Sequence, residues 1–85
     1  MEEYFLLATF HSTYLALEFE RLLKKNDLNV DLISIPGDIS ASCGLSARFD
    51  EKDLDEVRGI SEKNHLELEN IYRVYNDERK PEVLS

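Results

Sequence analysis

Apolar positions along this chain follow two periods, and the switches between them mark the elements. Tyr4 to Phe10 (YFLLATF) is one continuous apolar run. Such a run predicts a central strand buried on both faces, or with one face covered by a partner. Ser12 or Thr13 can cap a helix running to about Lys25 or Asn26, with Leu15, Phe19, Leu22 and Leu23 on one stripe. Lys24 and Lys25 suit the negative end of its dipole, and Asn26-Asp27 closes it. Val30 to Ile35 is β-branched and predicts a second strand, stopped by Pro36-Gly37-Asp38. Ile39 to Gly44 has small residues without a period and reads as a loop. Leu45, Ala47 and Phe49 alternate with Ser46 and Arg48, a third strand whose Arg48 faces away from the other three and can reach Asp31. Asp50 caps a second helix with Leu54, Val57 and Ile60 on its buried stripe and Asn64 at its end. Leu68 to Tyr75 predicts the fourth strand.

Residues 1–75 thus read as a single domain, and 76–85 as a polar, flexible C-terminal tail. The order strand, helix, strand, strand, helix, strand is the ferredoxin-like βαββαβ arrangement of the α+β class. It predicts a four-stranded antiparallel sheet of order 4-1-3-2 with both helices on one face. The first strand is apolar at both parities, so the helix-free face exposes aromatics unless something covers it. A second copy of the chain docked on that face, a homodimer, is the expected cover.

Charge narrows the partners. Eighteen acidic residues against ten basic ones give a formal net charge of −8. Nucleic acid and anionic membranes are attracted by Lys and Arg, so neither is an expected partner. No apolar run reaches the ~18–20 residues of a membrane span. The start, Met1-Glu2-Glu3-Tyr4, is acidic where a signal peptide is basic. The single cysteine, Cys43, excludes an intramolecular disulfide, and together these features point to a cytoplasmic protein with a free thiol.

The predicted topology gathers polar residues at one rim. Strands and helices alternate in direction, so the turn Phe10 to Thr13, the loop Pro36 to Gly44 and the turn Asn64 to Glu67 share one end. Cys43, His11 and His65 lie there together with the start of the first helix. A thiolate is the reactive form of cysteine, and it is favoured near a helix N-terminus or an imidazolium. Ser12 and Thr13 are caps first and potential anion ligands second. Ser40 and Ser42 can donate to the sulfur, and Gly44 lets backbone or ligand approach closely. His11 and His65 read more simply as exposed turn residues, and Cys43 has a plain alternative as a small packed hydrophobe. The acidic stretch Asp50 to Glu56 lacks the spacing of a calcium loop, so no metal and no cofactor are expected.

At Ser42-Cys43-Gly44-Leu45-Ser46-Ala47-Arg48-Phe49 the chain resembles the small bacterial family of selenium/sulfur carrier-like proteins. The likeness continues in Phe10-His11-Ser12-Thr13, in Ala16-Leu17-Glu18, in a second strand ending near Pro36 and in Ile71-Tyr72-Arg73, roughly residues 4–75. Ser46 departs from it, where a small apolar residue is more usual. The resemblance implies a one-domain α/β protein that carries selenium or sulfur on the motif cysteine, here Cys43. Its partners would be a donor and an acceptor enzyme, with His11, Ser12, Thr13, Ser42 and Gly44 around the adduct. The alternative from another class is a non-enzymatic module that binds a small ligand or protein at the rim, with a structural Cys43. A stand-alone thiol oxidoreductase is disfavoured by the missing second cysteine.

Overall fold

The computed structural model describes residues 3–84. Strand β1 spans Tyr4–Thr9, helix α1 Thr13–Lys25, β2 Asp31–Ser34, β3 Leu45–Phe49, α2 Leu54–Lys63, β4 Asn70–Tyr75 and β5 Glu82–Val83. A 3-10 turn, Glu51–Asp53, leads into α2. Every strand pair is antiparallel, and the sheet order is β2-β3-β1-β4-β5.

The α+β class with two helices on an antiparallel sheet stands, but the four-stranded ferredoxin-like sheet is corrected to five strands. The fifth comes from the segment read as a tail. Pro81 and the charged run before it hide a two-residue strand, in which Val83 pairs with Tyr72 and Glu82 with Arg73. So short an edge strand carries no period of its own. It is held by β4 and by Leu84, whose N–H donates to the Ile71 carbonyl at 2.7 Å and whose side chain packs against the core.

The core lies between one face of the sheet and both helices. Leu6, Ala8 and Phe10, Ala47 and Phe49, and Ile71 meet Ala16, Phe19 and Leu23 of α1 and Val57 of α2. Phe19 joins the layers, its ring 5.1 Å from Phe10 and 6.1 Å from Phe49. Asp50 makes no side-chain cap bond at the second helix, which begins through the 3-10 turn instead. That turn is tied down from the sheet: Arg73 Nη2 reaches Glu51 Oε1 at 2.7 Å and the Tyr4 hydroxyl reaches Glu51 Oε2 at 3.0 Å. Arg73 first, then Tyr4, holds the Glu51 carboxyl below its ordinary value.

Both helices end in the same way. Asp27 and His65 adopt left-handed backbone conformations, with φ of 60° and 53°. In each case the N–H of the next residue reaches back to the third-last helical carbonyl, Leu28 to Leu23 at 3.0 Å and Leu66 to Ser61 at 2.8 Å. This is the Schellman closure, with Leu28 and Leu66 as its apolar contacts. Asp and His are tolerated at positive φ better than bulkier residues.

The helix-free face is closed more fully than its sequence suggests. Leu7, Thr9 and Ser46 there are completely buried. The Arg48 guanidinium lies 5.5 Å from the centre of the half-buried Phe5 ring and 3.0 Å from Asp31 Oδ2. Ser46 has a structural reason: its hydroxyl donates to the Ile33 carbonyl at 3.1 Å, so this buried polar group is satisfied.

Candidate functional site

Three segments meet at the end of β1, and each is placed by a backbone feature. The first is the turn into α1. Ser12 is its cap, extended at φ −150°, and accepts the Leu15 N–H on its hydroxyl at 3.3 Å. Thr13 is therefore the first helical residue. The second is the loop from β2 to β3, closed at its base by Ile35 N–H to the Gly44 carbonyl at 3.1 Å and anchored by the buried Ile39. The third is the approach to β4, where Glu69 N–H donates to the Thr9 carbonyl at 2.8 Å.

Cys43 closes the loop. Its residue exposure is 7%, although Ser42 and Gly44 on either side are exposed. The sulfur is contacted from two directions. The Leu45 backbone N–H donates to Sγ at 3.3 Å, and Thr13 Oγ1 lies 3.7 Å from it. Sγ itself lies 3.6 Å from the Leu45 carbonyl oxygen. The thiol thus sits at the joint of the loop, the first turn of α1 and the start of β3.

Glu69 fastens this arrangement and was not foreseen. The Ser42 hydroxyl donates to Oε2 at 2.6 Å and the Ser42 N–H to Oε1 at 3.1 Å. His11 Nδ1 stands 3.4 Å from Oε2, and the Glu69 side chain is only 16% exposed. The Ser42 hydroxyl, followed by its N–H, holds the Glu69 carboxyl below the ordinary carboxylate value, and the nearby imidazole acts in the same direction. The sequence reading placed Glu69 inside the fourth strand, Leu68 to Tyr75, whereas the strand begins at Asn70 and Glu69 lies in the approach to it. The one available signal was its position next to the rim turn.

The expected site residues divide accordingly. Cys43 and Thr13 touch. Ser42 and His11 are joined through Glu69 rather than to the sulfur. Ser12 serves as the helix cap. At Gly44 an added Cβ would meet nothing within 4 Å, and its φ is not positive, so no close approach within this chain demands glycine there. His65 is exposed at the end of α2, where it completes the helix closure. Among the described residues, no three His, Cys, Asp or Glu side chains are placed to hold a metal ion. A cleft of about 280 Å³ lies at the opposite end of β1, between Tyr4, Asp31, Arg48 and Asn76. A smaller one, about 210 Å³, borders Glu69, Ser61 and Arg58. No helix among the described residues is long and apolar enough to cross a membrane.

Comparison with known proteins gives one positive finding. The family model described as "Putative Se/S carrier protein-like" matches residues 5–73. The match spans β1 through most of β4 and includes the whole of the Cys43 loop. The chain belongs to this family. Neither the curated proteins nor the solved structures yield a match.

Proposed function

We propose that this member of the Se/S carrier family holds selenium or sulfur on Cys43 and passes it from a donor to an acceptor enzyme. The observation that carries the reading is the setting of the chain's only sulfhydryl. A backbone N–H at 3.3 Å and a threonine hydroxyl at 3.7 Å converge on it. The N–H donates, and the hydroxyl can turn to donate once the sulfur becomes anionic during transfer; charge-assisted hydrogen bonds are the stronger kind.

The step balances without an oxidant. The Cys43 thiolate attacks the outer sulfur of a donor persulfide, R–S–SH. A new S–S bond forms on Cys43 as the donor's S–S bond breaks, and R–S⁻ departs with the electron pair. Cys43–S–SH then gives up its outer sulfur to an acceptor thiolate by the same exchange. With R–S–SeH the outer atom is selenium and the bookkeeping is unchanged. The protein needs only to expose the sulfur and shelter the adduct. At 7% exposure, exposure of the sulfur requires a displacement of the 36–44 loop, and the Ser42–Glu69 bonds are what that displacement breaks. A lone thiol of this kind stays free in a reducing compartment, so the cytoplasm is the setting of the reading.

The test is intact-mass measurement after incubation with a small persulfide. The native protein gains one sulfur atom that a reductant removes, and Cys43→Ser gains none. No gain on the native protein overturns the reading. If Cys43 also resists iodoacetamide until denaturant is added, its burial is structural and the rim is a binding module instead. Competition between sulfur and selenium donors then identifies the cargo of a protein that loads.

A further inference from the structure

Helix α2 and the start of β4 form the walls of the cleft of about 210 Å³. Arg58, Ser61 and Glu62 stand three and four residues apart, so one face of the helix supplies all three. Leu68, Glu69 and Ile71 supply the other wall. The volume equals about seven water molecules at roughly 30 Å³ each. It is below the ~300–1,000 Å³ of sites for drug-sized molecules, so the cleft suits a smaller ligand.

Ser61 sets this cleft apart from a chance gap between two elements. The residue is 5% exposed, and its hydroxyl oxygen is buried with no hydrogen-bond partner among the described residues. Buried hydroxyls are normally satisfied, and one that is not weakens the fold that keeps it. An acceptor atom entering the cleft completes it. Arg58, one helical turn away, carries five N–H donors, enough to take a carboxylate besides its contacts within the chain. The Glu69 carboxylate stands on the other wall, and Glu62 adds a second. Donors for an anion and acceptors for a cation thus share one small cleft, beside the apolar side chains of Leu68 and Ile71. A simple carboxylate uses only the donors, and a simple amine only the acceptors. A small α-amino acid, a zwitterion, uses both and matches the volume.

We propose that this cleft binds a small α-amino acid, with its carboxylate on the Ser61 hydroxyl and the Arg58 guanidinium and its ammonium on Glu69. Glu69 is also the acceptor for the Ser42 hydroxyl at 2.6 Å and the Ser42 N–H at 3.1 Å, the bonds that fasten the Cys43 loop. An ammonium is a stronger partner for a carboxylate than a neutral hydroxyl or amide. Filling the cleft therefore draws Glu69 from Ser42 and loosens the loop. By linkage, a loosened loop in turn binds the amino acid more tightly. The coupling does not depend on what Cys43 carries.

The experiment titrates the full-length chain with L-alanine, and separately with acetate and ethylamine as its two halves. The readouts are the amide resonances of residues 58–71 and of Ser42, and the rate of Cys43 alkylation by iodoacetamide. L-Alanine should give saturable shifts at millimolar concentration, move the Ser42 resonance and speed alkylation about fivefold at saturation, the low end of typical coupling. Ser61→Ala should weaken binding about tenfold, the effect of losing a hydrogen bond to a charged group. Its stability to urea should match or exceed that of the native chain, because no hydrogen bond is lost and alanine favours the helix. Equal affinity for L-alanine in Ser61→Ala overturns the site. Acetate that binds as tightly as L-alanine overturns the zwitterion. Shifts at residues 58–71 that leave both the Ser42 resonance and the alkylation rate unchanged overturn the competition for Glu69. A titration without saturable shifts overturns the proposal whole, and the cleft then holds water only. The carrier reading stands or falls by persulfide loading and is untouched by any of these outcomes.

Discussion

Ser42 grips Glu69 with both its hydroxyl and its backbone N–H, at 2.6 and 3.1 Å, across a separation of 27 residues. The loop that carries Cys43 is thereby latched to the start of β4. Without the carboxylate nothing among the observed bonds connects Ser42 to that strand. Glu69→Ala should raise the rate of Cys43 alkylation by iodoacetamide about tenfold, since local opening is governed by the few bonds that close a segment. Global stability should change little, because the latch lies at the rim. An unchanged alkylation rate would show that the remaining contacts, among them the Ile35–Gly44 bond and the buried Ile39, hold the loop without the latch.

The same latch responds to acid. Folding lowers the Glu69 carboxyl from its ordinary value, chiefly through the Ser42 hydroxyl. A carboxyl lowered in this way contributes stability that is complete above its ordinary value. The contribution is lost as pH falls through that value toward the folded one. The Ser42 amide resonance should therefore titrate with a midpoint below that of an ordinary carboxylate. In Glu69→Gln the titration should vanish. A midpoint at or above the ordinary value would contradict the hydrogen-bonding arrangement.

Ser12 fixes the end of α1 against which the sulfur lies. Ser12→Ala removes the acceptor for Leu15 N–H and should cost about 1 kcal/mol, the usual worth of a serine cap. Urea unfolding reads that loss. Fraying of the first turn should also loosen Thr13 from Cys43, so alkylation should accelerate in parallel. Destabilisation without faster alkylation would separate the cap from the thiol's setting.

The core prediction is blunter. Phe10 and Phe19 are completely buried and their rings meet at 5.1 Å. Phe10→Ala should cost about 3–5 kcal/mol. Domains of this size have total stabilities of roughly 5–15 kcal/mol, so the variant should be partly unfolded at room temperature or nearly so. A loss under about 1 kcal/mol by urea denaturation would mean that the helices do not pack on this face as described.

The fifth strand can be removed. Ending the chain after Lys80 deletes the Glu82–Val83 pairing and the Leu84 contact with the core. The expected cost is about 1–2 kcal/mol, from one half-buried leucine side chain and the ladder bonds beside it. A truncated chain as stable as the native one would show that β5 adds nothing to the fold.

The sequence by itself determined the elements. The both-parity apolar run of β1, the stripe Phe19, Leu22 and Leu23, and the alternation of Leu45, Ala47 and Phe49 each bury a defined face, and local periodicity suffices to see it. The pairing of Arg48 with Asp31 was legible for the same reason, because alternation assigns every strand residue a side. The family was legible in the Ser42-Cys43-Gly44 motif and its neighbours. What the sequence could not decide depends on residues brought together from afar. Strand β5 is two residues long and gains its conformation from β4. Glu69 acquires its role only when folding sets it beside Ser42 and His11. His65 shares the rim with Cys43, yet the left-handed closure of α2 claims its backbone and no observed bond joins its side chain to the cluster. The burial of Cys43 stood in the sequence only as the alternative of a small packed hydrophobe, and the tertiary structure decided for it. Hydrogen bonds and closures of this kind follow three-dimensional distance, and no period along the chain encodes it.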